Sequence, residues 1–371
     1  MLKPRILLSI VVISIVISCM LGCNLASPPS PDVDFLQGPD FECWTAIKSE
    51  SPKNLGLNQG RLLVGYEYKP EWLNLYQFDL TDTTYTLVVS ETDIYDNQIL
   101  SPVSPNGQYL WYSRFQGPSN SSVFLYNLTD NSTRQIFAQE LVPSPGGVLS
   151  WSADGRCLFL RQLDYSIAYR LPDGVMQKKP AYDPSELSAS GQWRAWPCRR
   201  TICVTNLAGQ RISDPRLNIP TERDAFVWWS PTADVLALAY ESSEFHYWDM
   251  VRIVELKEGK IVFSRDISAP ALSGLRWSPT GDKLLIADGN GKTLLIYDRP
   301  TDTVRSVSSP GNYSHIFVPV WSPNGEQIAS ISENYQNVYI MSAHGTNPFT
   351  IPALHTGTSD SWPIRSIFWM P

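Results

Sequence analysis

The sequence predicts an all-β protein, a seven-bladed β-propeller, and three observations predict it. A short motif, Trp-Ser-Pro-x-Gly, recurs along the chain in intact or degraded form. Its copies follow one another at intervals of 36 to 48 residues, the length of one four-stranded blade. Apolar runs with the length of strands flank each copy, and the last of these runs ends the chain.

The motif describes the tight turn between the first two strands of a blade. Proline fixes φ at the entry of such a turn, and glycine accepts the positive φ that closes it. Two further strand-like runs follow each turn, so each repeat predicts four short antiparallel strands. The position of the motif glycine is occupied in the six copies by Gly107, Gly155, Gly191, Ala233, Gly281 and Gly325.

The two ends of the repeat region complete each other. Residues 60–64 resemble a second strand that has no first strand before it, whereas residues 366–371 resemble a first strand with no turn after it. Pairing of the C-terminal strand with the blade that begins near Gly60 would leave no free sheet edge at the seam. We therefore expect seven blades, closed by this pairing, in one domain of residues 55–371.

The N-terminus has the pattern of a secretory leader followed by a tether. Lys3 and Arg5 precede an apolar run, residues 6–21, which is too short for an ordinary membrane-spanning helix. Residues 23–54 open with a stretch rich in serine and proline, typical of an extended segment that lifts a folded domain off a membrane. We expect an exported protein whose folded domain lies outside the cytoplasm.

The end of the apolar run carries a candidate lipidation site. Residues 20–23, Met-Leu-Gly-Cys, resemble the lipobox of bacterial lipoproteins, although Leu21 stands where a small residue is usual. The resemblance implies a signal peptide of residues 1–22 and attachment of lipid to Cys23. A frame that ends at Cys19 is an alternative, and an uncleaved signal anchor is another.

Charge and composition exclude other classes of protein. The chain has 29 basic and 36 acidic residues and a net charge of −7, so it offers no basic field to nucleic acid or to an anionic membrane surface. Hydrophobic residues make up 43% and charged residues 18%, which excludes a disordered chain. We expect no nucleic-acid partner, and we expect a monomer.

One blade carries a resemblance to a known family. Residues 337–348, Asn-Val-Tyr-Ile-Met-Ser-Ala-His-Gly-Thr-Asn-Pro, are similar to the WD-like repeats of TolB-type propellers of the bacterial cell envelope. The resemblance covers nearly all of residues 60–371 and implies the propeller fold, but no catalytic residue. Residues 24–55 are too few to hold the α/β domain that precedes the propeller in that family, so its role in envelope integrity does not carry over.

Aromatic and basic residues gather in the connections between second and third strands. The motif tryptophans are expected to pack in the core between blades. The connections between second and third strands lie on the face opposite to the motif turns. Exposed aromatic rings on that face would suit the binding of a protein or glycan partner. The alternative is that the side chains fold over their own hairpins. The candidate binding residues are Trp72, Phe115, Trp196, Arg199, Arg200, Tyr247 and Trp248.

Cys19 would be removed with the signal peptide and Cys23 would carry the lipid, so four of the six cysteines remain for the exported domain. Cys198 and Cys203 flank a four-residue loop in a predicted hairpin, where opposite strand positions lie within disulfide reach. Cys43 and Cys157 are the two cysteines that remain, and only the even number of cysteines indicates a disulfide between them. No histidine stands at ligand spacing from these residues, so we predict neither a metal site nor a cofactor.

Sequence patterns of catalysis are absent. The chain has no Gly-x-Ser-x-Gly and no His-Glu-x-x-His pattern, and its four histidines are scattered. The leading hypothesis is a membrane-anchored cell-envelope lipoprotein with a non-catalytic propeller that binds an envelope protein or glycan. The alternative is a polysaccharide lyase or hydrolase with its site in the central cavity, because propeller sites draw on several blades and leave no local motif. A spacer domain is a third interpretation.

Overall fold

The computed structural model describes the propeller. The residues that it describes are 43, 60–69, 72–92, 103–115, 121–137, 148–152, 154–161, 165–180, 187–198, 200–206, 208–220, 225–242, 248–269, 272–288, 293–308, 319–331, 335–344, 346, 349–352 and 364–370. All of them belong to the second of two compact units, residues 36–371. The predicted signal peptide, Cys19 and Cys23 lie outside the described residues, as does the predicted tether apart from Cys43.

The described residues form seven sheets from 26 strands, numbered in chain order. Blades 1 to 4 are built from β1 (Arg61–Lys69), β2 (Trp72–Asp79), β3 (Thr84–Thr92), β4 (Tyr109–Phe115), β5 (Ser121–Asn127), β6 (Thr133–Phe137), β7 (Val148–Trp151), β8 (Cys157–Arg161), β9 (Tyr165–Arg170), β10 (Met176–Pro180), β11 (Trp193–Cys198), β12 (Thr201–Asn206) and β13 (Arg211–Ile212). Blades 5 to 7, and the strand that closes blade 1, are built from β14 (Phe226–Trp229), β15 (Val235–Tyr240), β16 (Met250–Lys257), β17 (Lys260–Ser268), β18 (Leu272–Trp277), β19 (Lys283–Asp288), β20 (Thr293–Asp298), β21 (Thr303–Ser308), β22 (Val320–Trp321), β23 (Gln327–Ile331), β24 (Asn337–Ser342), β25 (Phe349–Pro352) and β26 (Ile364–Trp369).

Each blade is an antiparallel meander of neighbouring strands. Five of the sheets have four strands, and those of blades 2 and 4 have three. In these two blades the first strand is reduced to an isolated bridge, Val103 to Leu110 in blade 2 and Leu187 to Arg194 in blade 4. Both blades lack the motif tryptophan, which elsewhere anchors the end of the first strand.

The C-terminal strand closes the ring. β26 pairs with β1, with Leu62 opposite Trp369 and Val64 opposite Ile367, so blade 1 has the strand order β26-β1-β2-β3. Ile367 and Trp369 belong to the buried cluster between blades 7 and 1. The predicted seven-bladed propeller, closed by pairing of its two ends, is confirmed.

The motif serine explains the chemistry of the turns. In blade 7 the Ser322 hydroxyl accepts the N–H of Gln327 at 2.9 Å and donates to the Asn324 side chain at 2.6 Å. The N–H of Gly325, which has φ of 69°, donates to the Ser322 carbonyl at 2.8 Å. The same serine-to-backbone bond occurs at Ser104, Ser152, Ser188 and Ser278.

The propeller has two faces with different connections. The turn face carries the turns from first to second strand and from third to fourth strand, such as residues 152–156 and 170–175 of blade 3. The loop face carries the connections from second to third strand and from one blade to the next. In the described part of the chain, no helix is long and apolar enough to cross a membrane.

Apolar clusters fill the spaces between blades. Trp321 and Trp369 are buried, and Trp151, Trp229 and Trp277 are half-buried, all at the turn-face ends of first strands. First strands of successive blades lie beside one another, as β14, β18, β22 and β26 do. The first strands therefore surround the axis, and the partly exposed last strands form the rim.

Candidate binding site on the loop face

The structure describes three of the seven candidate binding side chains. Trp72 begins β2 and Phe115 ends β4, both at the loop face, but their side chains lie outside the described residues. Arg199 and Tyr247 lie outside them entirely. The described candidates are Trp196, Arg200 and Trp248, which come from the neighbouring blades 4 and 5.

The blade 4 hairpin places Trp196 and Arg200 at the loop face. Trp196 pairs with Cys203 and Cys198 pairs with Thr201, so Arg200 lies at the tip. A disulfide links Cys198 to Cys203 across the hairpin. Arg200 has a positive φ of 49° and an exposed side chain. The exposed Arg200 side chain thus lies at the tip of a hairpin that a covalent bond cross-links.

Trp196 lies under a second arginine. The guanidinium of Arg194 stands 5.9 Å from the centre of the Trp196 ring, within the range of a cation–π interaction. The two residues are two positions apart on β11, so they project from the same side of the sheet. Trp196 is half-buried, and it neither folds completely over its hairpin nor projects freely.

Blade 5 carries an aromatic cluster, which we call the blade 5 cluster: Phe226, Trp228 and Trp248. Phe226 packs edge-on against Trp248, with ring centres 4.5 Å apart, and lies 5.6 Å from Trp228. Phe226 is the first residue of β14, at the loop-face end of a strand beside the axis. Its side chain is 41% exposed, whereas Trp228 and Trp248 are half-buried.

Backbone hydrogen bonds hold Trp248 in place. Its carbonyl oxygen accepts the N–H of Leu272 from blade 6 at 2.8 Å. The next residue, Asp249, accepts the N–H of Ser242 at 2.6 Å and also the Ser242 hydroxyl. Its carbonyl oxygen accepts the N–H of Ala269 at 2.8 Å. The platform for Phe226 is therefore fixed by contacts from two blades.

Arg252 is one of the side chains that join blades 4 and 5. Arg252 donates to the carbonyl oxygens of Arg216 at 3.0 Å and Asn218 at 2.8 Å in blade 4. Within blade 5 it donates to both carboxylate oxygens of Asp266, at 2.5 and 2.8 Å. Hydrogen bonds from Arg252 lower the pKa of Asp266, although burial opposes the shift. Arg252 thus links an ion pair of blade 5 to the backbone of blade 4.

Phe226 and Trp228 are members of the cluster that sequence reasoning missed. The run Phe226-Val227-Trp228-Trp229 contains three aromatic residues, of which the motif requires only Trp229. That excess was an available signal. Successive side chains of a strand point to opposite sides of the sheet. Trp229 therefore packs in the core between blades 4 and 5, while Phe226 and Trp228 lie on the other side of β14.

Other features of the described residues lie elsewhere. A groove of about 380 Å³ follows the outer edge of blade 4, beside a 3-10 helix at Pro215–Leu217, and its lining includes Thr201, Arg211 and Asp214. Among the described side chains, no group of three or more His, Cys, Asp and Glu could hold a metal ion.

Comparison with known proteins identifies the fold. No protein-family model matches the sequence, and no curated protein matches it. Among solved structures, the chain is similar to the periplasmic gluconolactonase of Pseudomonas aeruginosa, with 16% identity over 84% of this chain and 99% of that one and a TM-score of 0.52. This likeness in structure shows that the chain folds as a β-propeller. The dihydro-haem d1 dehydrogenase NirN has 12% identity over 84% of this chain and 75% of that one, with a TM-score of 0.54. TolB from Acinetobacter baumannii has 18% identity over 84% of this chain and 67% of that one, with a TM-score of 0.48.

Proposed function

We propose that this chain is an exported lipoprotein of the bacterial cell envelope, attached to the membrane through lipid on Cys23. Its propeller acts as a non-catalytic scaffold and binds a protein or glycan partner on the loop face of blades 4 and 5. The observation that carries the proposal is the blade 5 cluster, in which a partly exposed Phe226 stands on a fixed Trp248.

The geometry of the cluster suits recognition. A rigid aromatic ring that is partly exposed loses little conformational freedom when a partner covers it. Covering the exposed part of the Phe226 ring would contribute on the order of 2 kcal/mol to the free energy of binding. The exposed Arg200 at the tip of the neighbouring hairpin adds a positive charge that attracts an anionic group of the partner.

Three observations support export. The apolar leader and the lipobox-like residues precede the propeller in the sequence. The structure also joins its four described cysteines in two disulfides, Cys43–Cys157 and Cys198–Cys203, and disulfides persist in oxidising compartments. The gluconolactonase to which the chain is similar in fold is itself described as periplasmic.

A capture experiment tests the binding proposal. The full-length lipoprotein in detergent is incubated with solubilised envelope, and bound protein and bound sugar are both quantified. Phe226→Ala is expected to lose most of the captured material with a small change in melting temperature, because the side chain is partly exposed. Phe349→Ala is the matched control, since Phe349 is 47% exposed but begins β25 at the turn face of blade 7.

The outcomes separate the possible partners. Capture that survives protease treatment of the envelope extract but depends on Phe226 indicates a glycan, and capture abolished by protease indicates a protein. Equal capture by both variants and the unmodified chain would contradict the loop-face site. Turnover of a purified polysaccharide by the unmodified chain would favour the lyase or hydrolase alternative over a non-catalytic scaffold.

A further inference from the structure

The two disulfides of the described residues differ in their exposure to solvent. Cys43 and Cys157 are 0% and 1% exposed, and apolar side chains of blade 3 pack around them. Cys198 is half-buried at the loop-face end of β11, whereas its partner Cys203 is 5% exposed. Of the four described cysteines, Cys198 is therefore the one with an appreciable solvent-exposed surface.

The two disulfides also close loops of very different length. Cys198 and Cys203 are 5 positions apart, whereas Cys43 and Cys157 are 114 positions apart. A disulfide stabilises a fold chiefly by restricting the unfolded chain, and the longer loop restricts it about a hundredfold more. Six residue pairs hold β11 against β12 without help from the disulfide. The propeller is therefore expected to stay folded when Cys198–Cys203 alone is reduced.

Two arginines stand on the hairpin that carries this disulfide. The exposed Arg200 lies at the tip, two residues after Cys198. Arg194 projects from the same side of β11 as Cys198, with its guanidinium 5.9 Å from the Trp196 ring. Cys203 is opposite Trp196 and so projects from this side too. Cations near a cysteine favour the thiolate, the form in which a cysteine leaves an opening disulfide.

We propose that Cys198–Cys203 is a site of thiol–disulfide exchange, which a thiolate from solution reduces while Cys43–Cys157 stays intact. The thiolate belongs to a small anionic thiol or to a cysteine of another envelope protein. The inference depends neither on the proposed partner of the loop face nor on the proposed lipid anchor.

The exchange proceeds in two steps. The incoming thiolate attacks the exposed Cys198 sulfur, forms a mixed disulfide with it and displaces Cys203 as a thiolate, which takes a proton from water. A second thiolate attacks the outer sulfur of the mixed disulfide and releases Cys198, which is protonated in the same way. Two thiols are thereby oxidised to one disulfide, and the disulfide of the hairpin is reduced to two cysteine thiols.

Reduction loosens the tip of the hairpin. The disulfide cross-links the strands on both sides of the tip, where Arg200 has a φ of 49°, a left-handed conformation that few residues other than glycine adopt. Without the cross-link, Arg200 is free to leave that conformation. Trp196 then also lies opposite a cysteine that is no longer tied to the neighbouring strand. Exchange therefore alters the loop-face surface of blade 4.

Selective reduction tests the proposal directly. The full-length lipoprotein in detergent is incubated in glutathione buffers of increasing reducing strength, free thiols are alkylated, and peptide mass mapping assigns the modified cysteines. Cys198 and Cys203 should become alkylated in buffers that leave Cys43–Cys157 bridged and the melting transition intact. Short incubations should place the mixed disulfide on Cys198. Equal resistance of the two disulfides, or release of both together as the protein unfolds, would overturn the proposal.

A charge variant tests the attraction of anionic thiols. Arg200→Gln should slow reduction by glutathione about twofold to fivefold at low salt. Reduction by cysteamine should slow less, because the cysteamine thiolate has no net charge. Arg211→Gln is the matched control, since Arg211 is exposed in the same blade but pairs with Thr205, away from the tip. Equal rates in all three chains would refute the role of Arg200.

Two double variants test whether the reduced protein is folded. Cys198→Ser with Cys203→Ser should keep a cooperative melting transition, shifted by a few degrees. Cys43→Ser with Cys157→Ser should lower the melting temperature further, because it opens the longer loop. Loss of the transition in the first double variant would overturn exchange in the folded protein.

A single variant distinguishes the sources of the thiol. In Cys203→Ser, the remaining Cys198 thiolate attacks disulfides of an envelope extract and stays in the mixed disulfide, because Cys203 no longer resolves it. An adduct with the mass of glutathione indicates a small thiol, and a protein adduct indicates an envelope protein. Absence of any adduct on Cys198 would refute the exchange site.

Discussion

The indole Nε1 of Trp321 donates a hydrogen bond of 2.9 Å to the carbonyl oxygen of Arg276, which precedes the motif tryptophan of the neighbouring blade. The same relationship joins Trp277 to the Trp228 carbonyl at 3.1 Å. It also joins Trp369 to the Val320 carbonyl at 3.2 Å. One motif position thus connects blades 5, 6, 7 and 1 in series, and its last copy helps to close the ring.

Trp321→Phe measures what this bond contributes. The variant keeps an aromatic ring but removes the donor, so the free energy of unfolding should fall by about 1–3 kcal/mol. Trp111→Phe is the control, because Trp111 is also buried while its Nε1 has no hydrogen-bond partner among the described residues. Chemical denaturation should show the control losing about 1 kcal/mol less; an equal loss would contradict a role for the bond.

Gly281→Ala tests the contact between adjacent turns. Gly281 has φ of 67°, and an added Cβ would meet the side-chain oxygens of Ser230 and Thr232 in blade 5. Gly191 has the same φ of 67° but nothing within 4 Å of an added Cβ. Backbone strain of about 1–2 kcal/mol applies to both alanine variants. Gly281→Ala should therefore lose clearly more stability in thermal melts, and equal losses would rule out a tight contact between the turns.

Deletion of residues 364–371 should abolish the cooperative unfolding transition. It removes β26, whose Ile364, Ile367 and Trp369 lie in the buried cluster between blades 7 and 1. Losing several such side chains costs about 2–5 kcal/mol each, which together reaches the whole stability of a typical domain. Calorimetry provides the measurement, and recovery of the transition on addition of the missing peptide is the control. A small shift in melting temperature would contradict the closure.

Asp282 should make the blade 6 turn sensitive to acid. Burial would raise its pKa, but hydrogen bonds from Lys283, Thr280 and Ser278 lower it to about 2. A carboxylate whose folded pKa lies below its unfolded value of about 4 stabilises the fold above pH 4, and that contribution is lost as the pH falls towards 2.

The partial exposure of Asp282 reduces the size of this effect. Its side chain is 31% exposed, so we expect about 1 kcal/mol from the group. Asp282→Asn should flatten the loss of stability between pH 4 and pH 2, measured by urea unfolding at several pH values. Glu326→Gln, at the same position of the blade 7 turn, is the control for removing a turn carboxylate. An unchanged acid profile in Asp282→Asn would refute the linkage.

Much of the fold could be predicted because its signals are local. Ser322 and Gly325 stand three residues apart, and the turn that they form needs no other blade to define it. The pairing of β26 with β1 was also predictable, since an incomplete repeat at each end of the chain implies its complement. The motif tryptophans were predicted to be core wedges, and Trp321 and Trp369 are buried.

The candidate site was less predictable because it depends on contacts between distant segments. Phe226 and Trp248 are 22 positions apart, and only the packing of β14 against the end of the following hairpin brings their rings within 4.5 Å. The pairing of Cys43 with Cys157 is the same kind of fact, because cysteine spacing does not determine connectivity.

By itself, the sequence determined the number of blades, the turns and the closure of the ring. These follow from backbone conformations and apolar periods that a few adjacent residues specify. Only the tertiary structure decided which aromatic rings stay partly exposed and how Arg252 joins blades 4 and 5. Those features arise where chain segments that are far apart in sequence pack against each other. The local conformational preferences of residues do not determine which distant segments come into contact.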